Sequence, residues 1–207
     1  AQVWDNAIGE DLLIPFGDAW SYLDTGVDPG ATWATAGFDD SAWLSGSAEL
    51  GYGDTQTTVL GFGADSENKH ITTWFRRTFT ATNVGEISRL KMSAKRDDGI
   101  RVFLNGSEIA RDNLTTGTVS AGTKARNDVS SSNEEILLRF NVDPSLLVEG
   151  GNILAAEVHQ EDADSSDLSF NLELSAARNL SAVTPTWSVA PAGASVSTEG
   201  NFSATSP

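Results

Sequence analysis

Cysteine is absent from the chain, which excludes thiol catalysis, thiolate-bound zinc, iron–sulfur clusters and any disulfide framework. Histidine is nearly so, with His70 and His159 standing alone. Basic residues are also few. Against 29 Asp and Glu there are 13 Lys and Arg, and the net charge of −16 works against a nucleic-acid or anionic-membrane partner. The same balance suits a secreted module, cation binding or a salty habitat. No apolar run approaches the roughly 18 residues that a membrane span needs, so membrane insertion is not expected. No basic-then-apolar leader precedes Ala1, and the sequence reads as a mature or excised fragment of a secreted protein.

What is there reads as strands. The 207 residues suffice for one domain with a proper core, assigned to residues 1–178. Residues 179–207, mostly Ala, Ser, Thr, Pro and Gly with Glu199 as the single charge, read as a linker or the start of a following module. The centre of the pattern is residues 74–105, where β-branched and aromatic residues mark strands at 74–80, 87–94 and 100–105. Asn105-Gly106 supplies the positive φ angles of a two-residue hairpin, with residues 108–111 as the returning strand. Further strands are expected at 12–15, 20–23, 135–140, 153–159 and 168–174; in the last, Leu168, Phe170, Leu172 and Leu174 share one face. Asp143 as N-cap, Pro144 at the first position and Gly150 past the end predict one short helix over 143–150. The fold class is therefore all-β: an antiparallel β-sandwich with one short helix.

Counting strand directions places the long connections. If neighbours alternate, residues 49–73, the Asp97-Asp98-Gly99 turn, residues 112–133 and residues 160–167 all converge on one rim, with the tight turns at the other. That rim gathers Asp97, Asp98, Glu161, Asp162, Asp164 and Asp167, whose mutual repulsion calls for compensation. Calcium answers it best, because it accepts roughly six to eight oxygen ligands in flexible geometry, whereas zinc prefers the missing thiols and scarce imidazoles. A solvated acidic rim is the alternative. The segment 38–43, Phe38-Asp39-Asp40-Ser41-Ala42-Trp43, reads as a capped turn with two buried aromatics, or else as a ligand platform.

Several motifs occur in an order that resembles the galactose-binding-like jelly roll: Trp33, the 38–43 segment, Trp74-Phe75-Arg76-Arg77, Val102-Phe103-Leu104-Asn105-Gly106, and Leu147 to Gly150 followed by Asn152-Ile153-Leu154. Its best-known version is the non-catalytic sugar-binding domain of glycoside hydrolase family 2 enzymes. Leu50-Gly51-Tyr52-Gly53-Asp54, Asp97-Asp98-Gly99 and His159-Gln160 with Ser165-Ser166-Asp167 resemble more closely an accessory domain of large secreted bacterial proteins. The resemblance implies a jelly-roll sandwich, often with a structural calcium ion, embedded among covalently linked neighbouring domains.

On that reading the partner is a polysaccharide or glycan at the loop rim. Tyr52, Phe62 and Trp74 are the aromatics nearest it, with Asp54, His70, His159 and Gln160 as polar candidates. Core packing is the competing fate of Trp74. A spacer or protein-interaction module without a small ligand is the alternative function. Catalysis is not expected: neither histidine sits in a recognised nucleophile motif, and Asp97 and Asp98 are sequence neighbours rather than an opposed acid and nucleophile.

Overall fold

The structure, a computed structural model, describes residues 8–130 and 133–179, and the backbone of two further strands at 194–196 and 202–204. Two six-stranded sheets pack face to face. The first sheet holds β1 (Ile8–Ile14), β4 (Leu50–Tyr52), β5 (Thr58–Val59), β7 (Ile87–Asp97), β10 (Leu138–Val142) and β12 (Leu168–Asn179). Its order is β10-β7-β12-β4-β5, with β1 also paired to β12. The second holds β2 (Ala19–Leu23), β3 (Leu44–Ser47), β6 (Thr72–Ala81), β8 (Gly99–Leu104), β9 (Ser107–Asp112) and β11 (Gly150–His159), in the order β3-β2-β6-β11-β8-β9. All pairings in both are antiparallel except β4 with β5. This is the expected β-sandwich of jelly-roll type. β13 (Ala194–Val196) and β14 (Phe202–Ala204) pair with each other, and the rest of the expected linker at 179–207 lies outside the described residues.

Alternation sorts the core as the sequence pattern predicts. Leu168, Phe170, Leu172 and Leu174 of β12 are fully buried, facing Phe75, Leu154, Ala156 and Val158 of the other sheet within one hydrophobic cluster. Phe170 anchors the middle, stacked on Phe75 at 4.1 Å and met edge-on by Trp20 at 4.9 Å. Each such side chain contributes about 1.5–3 kcal/mol by leaving water. A second, smaller cluster lies on the outer face of the second sheet, where Trp74, Phe103, Ile153 and Ala155 are covered by Trp33 and Ala34 from the 24–43 connection.

Strand register confirms the placement of the loops. Tyr52 pairs with Leu168, His159 with both Thr72 and Gly99, and Ser169 with Asp97, so the connections after β4, β7, β9 and β11 all open at one rim. At the opposite end Asn105 (φ 52°) and Gly106 (φ 86°) form the expected tight hairpin. Asn105 also donates to Leu146 O and Asn152 Oδ1, while Asn152 donates to Val148 O and Gly150 O. These bonds explain why both asparagines accompany this turn.

Two expectations are corrected. Residues 143–150 form no α-helix: Asp143 does cap, accepting from Ser145 N at 2.9 Å, but the turn is a 3-10 turn over Pro144–Leu146, and Gly150 (φ 91°) already opens β11. The demand of β11 for ten residues across β6 leaves no room for a helical second turn. Likewise β7 runs on to Asp97 and β8 starts at Gly99, so Asp97-Asp98-Gly99 is a direct crossing between sheets rather than an acidic surface loop.

Candidate functional site

The crossing is the pivot of the rim. Asp97 and Asp98 are 2% and 1% exposed. Gly99 sits where a Cβ would come within 3.1 Å of the Leu114 and Ala125 side chains, which closes the crossing over tightly packed neighbours. Asp98 accepts from Val129 N at 2.6 Å through Oδ1 and from Glu161 N at 2.8 Å through Oδ2. It therefore clamps the 113–137 and 160–167 connections together, with both oxygens committed to backbone amides. Asp97 has a different fate. Burial first, then the charge of Asp98 and a hydrogen bond with it, then the charges of Asp167 and Glu134 push its carboxyl up to about 9. Its Oδ1 is buried without a hydrogen-bond partner. The buried Tyr52 phenol, which accepts from Gln160 Nε2 at 2.9 Å, is raised as well, chiefly by burial and further by the charges of Asp97, Asp167 and Asp98.

The same rim brings three carboxylates together. One oxygen each of Asp54, Glu134 and Asp167 lie within 4.8 Å of one another, with Asp54 exposed and the other two half-buried. The glycine pattern of Leu50-Gly51-Tyr52-Gly53-Asp54 accounts for the approach. A Cβ on Gly51 would stand 1.7 Å from Leu168 O, and one on Gly53 (φ 94°) would stand 2.4 Å from Asp167 Cβ, so both positions require glycine for β4 to press against the start of β12. Asp54 is thereby delivered to Asp167. Oxygen donors from three connections fit a hard divalent cation of the calcium kind and lack the nitrogen or sulfur that zinc prefers.

A second concavity lies on the outer face of the second sheet, with a cavity volume of about 300 Å³. Trp74, Glu157, Arg101 and Phe103 form its floor, the 28–35 segment one wall and residues 119–121 the other. Arg76, 2% exposed, fixes the first wall: it donates to the carbonyls of Trp33, Thr35 and Phe38, pairs with Asp40 at 2.9 Å and lies over the Phe38 ring. Asp39 caps Ser41 N at 3.0 Å, so the 38–43 segment is the capped turn with two packed aromatics. His159 and Thr72 fix the second wall. His159 Nδ1 lies 2.8 Å from Thr123 O, a carbonyl that can only accept, so Nδ1 carries the hydrogen; Thr72 Oγ1 donates to Ala121 O at 2.8 Å.

No protein-family model and no curated protein matches the sequence. Among solved structures the chain is similar to a β-glucuronidase of Bacteroides uniformis, at 17% identity and a TM-score of 0.52, over 82% of this chain and 18% of that one. A β-glucuronidase from glycoside hydrolase family 2 follows at 14% identity and 0.53, over 85% and 18%. A family 2 member from Bacteroides cellulosilyticus gives 16% and 0.53, over 81% and 20%. The fold is that of a sandwich domain in family 2 glycosidases. At such identities the likeness is one of fold, and the chain spans 18–20% of those proteins' lengths.

Within this sandwich the residues singled out from the sequence separate into groups. Asp167 and Asp54, the latter expected to touch a ligand, meet at the carboxylate cluster, and the charge of Asp167 acts on the buried Asp97. Asp98 is the clamp. Asp162 pairs with Lys124 at 2.7 Å, Glu161 contributes its backbone amide to Asp98, and the exposed Asp164 has its carbonyl near Lys69. Tyr52 and Trp74 are buried in the core, at 4% and 2% exposure, so neither is an open stacking platform. Phe62 is half-buried, edge-on to Tyr52 at 5.1 Å with Lys69 over its face. His70 is packed between Gly26 and Gly63. His159 and Gln160 are fully buried and structural. Sequence reasoning missed Glu134, although Asn133-Glu134-Glu135 closing a long polar connection at the correct rim was a usable signal.

Proposed function

We propose that this domain is a non-catalytic, glycan-binding accessory module of a secreted multidomain protein, with a calcium ion holding its loop rim together. The observation that carries this reading is the convergence of Asp54, Glu134 and Asp167, whose oxygens lie within 4.8 Å of one another. At a net charge of −16 such a cluster is costly without a counter-charge. A bound calcium ion supplies that charge and cross-links three connections, and these residues with nearby loop carbonyls would hold it. The non-catalytic part is supported by the histidines, both of which are occupied in packing: His159 on Thr123 and Thr72, His70 between two glycines.

Glycan binding rests on the preformed groove and on the kinship of fold with sugar-handling enzymes. The spacer reading draws on a specific observation too, since burial of Tyr52 and Trp74 leaves the rim without their ring faces. Affinity electrophoresis through plant, algal and bacterial polysaccharides, in calcium and in chelator, separates the two. Retardation by at least one glycan is expected; none across the panel would favour the spacer.

A further inference from the structure

The outer-face groove carries features that packing alone does not explain. Three buried polar atoms without a hydrogen-bond partner meet beneath it: Arg101 Nε, Glu157 Oε1 and His159 Nε2. Glu157 is 4% exposed and lines the groove, and Arg101 lies beside it with its Nε 2.7 Å from Oε1 but its N–H turned off that oxygen. Glu157 Oε1 is thus ion-paired with Arg101 but accepts no aligned hydrogen bond, and His159 Nε2 is 3.4 Å from it. A buried polar group left in this condition calls for a partner. Both walls are pinned by the protein's own hydrogen bonds, one by Arg76 and the other by Thr72 and His159. Preformed walls spare a ligand the entropy of ordering them.

We infer that this groove holds one neutral pyranose unit of the glycan, its adjacent hydroxyls donating to Glu157 and accepting from Arg101. A hydroxyl both donates and accepts, which a carboxylate beside a guanidinium requires of its partner. The volume of about 300 Å³ stands at the small end of ligand pockets, enough for a single ring and too small for several. The exposed edge of Phe103, with Ala31 of the first wall, supplies apolar surface for the C–H groups. The charge of the lining selects against acidic sugars: Asp28 and Glu157 outnumber Arg101, whose guanidinium also lies 3.8 Å from Glu108. This inference rests on the glycan-binding reading above.

The test uses the whole 207-residue chain in gels containing mannan, xylan, galactan, mixed-linkage glucan or polygalacturonate. Ala31→Trp and Ser120→Trp enlarge exposed wall positions into the groove without entering the core, and Glu157→Gln removes the charge at nearly constant shape. Retardation of the wild type by a neutral polysaccharide is expected, with association weakened about tenfold or more in both tryptophan variants while their melting temperatures stay at the wild-type value. Wild-type retardation that both tryptophan variants retain would overturn the groove and leave glycan binding standing. Retention by polygalacturonate in place of the neutral polymers would overturn the neutral-sugar assignment. No retardation at all would overturn the groove and the glycan reading together.

Discussion

Arg76 is the side chain on which the outer-face wall depends most. Alanine in its place leaves Asp40 without its cation and the carbonyls of Trp33, Thr35 and Phe38 without a donor. Breaking a buried pair from one side costs about 3–5 kcal/mol, and since Asp40 keeps 30% exposure the lower figure applies. For a domain of this size that lowers the melting temperature by roughly 6–12 °C, measurable by calorimetry. Arg76→Lys should recover only part of the loss, because an ammonium cannot fork to several acceptors. Asp97 governs pH dependence in the metal-free protein. Its folded carboxyl titrates at about 9 against an ordinary 3.8, so between those values the folded state holds a proton that the unfolded chain has released. Stability conferred by that proton is full below about pH 4 and is lost progressively as pH rises through about 9. Thermal melts in chelator should therefore show midpoints falling from pH 6 to 9, and Asp97→Asn should flatten the trend. A rising midpoint over that range would contradict the assignment.

At the scale of elements, the rim is built by the meeting of β4 with the start of β12. Gly53→Ala places a Cβ 2.4 Å from Asp167 Cβ and forces a φ of 94° on alanine, so the strand must withdraw and take Asp54 with it. Calcium affinity measured by titration calorimetry should drop by about tenfold or more, whereas Gly122→Ala, in open space, should leave it unchanged. Much of this architecture was legible in the sequence. Period-two burial in β12, the Asn105-Gly106 hairpin and the counting of strand directions follow from local chemistry and chain connectivity, and each holds in the structure. What was not legible depends on partners distant in sequence. Asp98 looks like a turn residue until Val129 and Glu161 are seen to need its oxygens. Tyr52, flanked by glycines, looks exposed until Gln160 is found on its hydroxyl. Glu134 could be put at the rim by connectivity, but its approach to Asp54 and Asp167 depends on residues far off in the chain, and the 143–150 helix failed because β11 claims its last residues.

The whole molecule is a two-sheet scaffold with an acidic rim, which on our proposal a cation completes. The sheets and their core need no ion, so removal of calcium should loosen the rim and lower stability without unfolding the sandwich. Saturation at about one hundred times the dissociation constant adds roughly 2.7 kcal/mol, which for this chain length raises the melting temperature by about 5–10 °C. The most direct measurement is a pair of calorimetric melts, in calcium and after exhaustive chelation, at matched ionic strength, on the wild type and on Asp167→Asn. A calcium-dependent rise in the wild type that vanishes in Asp167→Asn is the result expected from the meeting of Asp54, Glu134 and Asp167. Identical wild-type midpoints with and without calcium would contradict it.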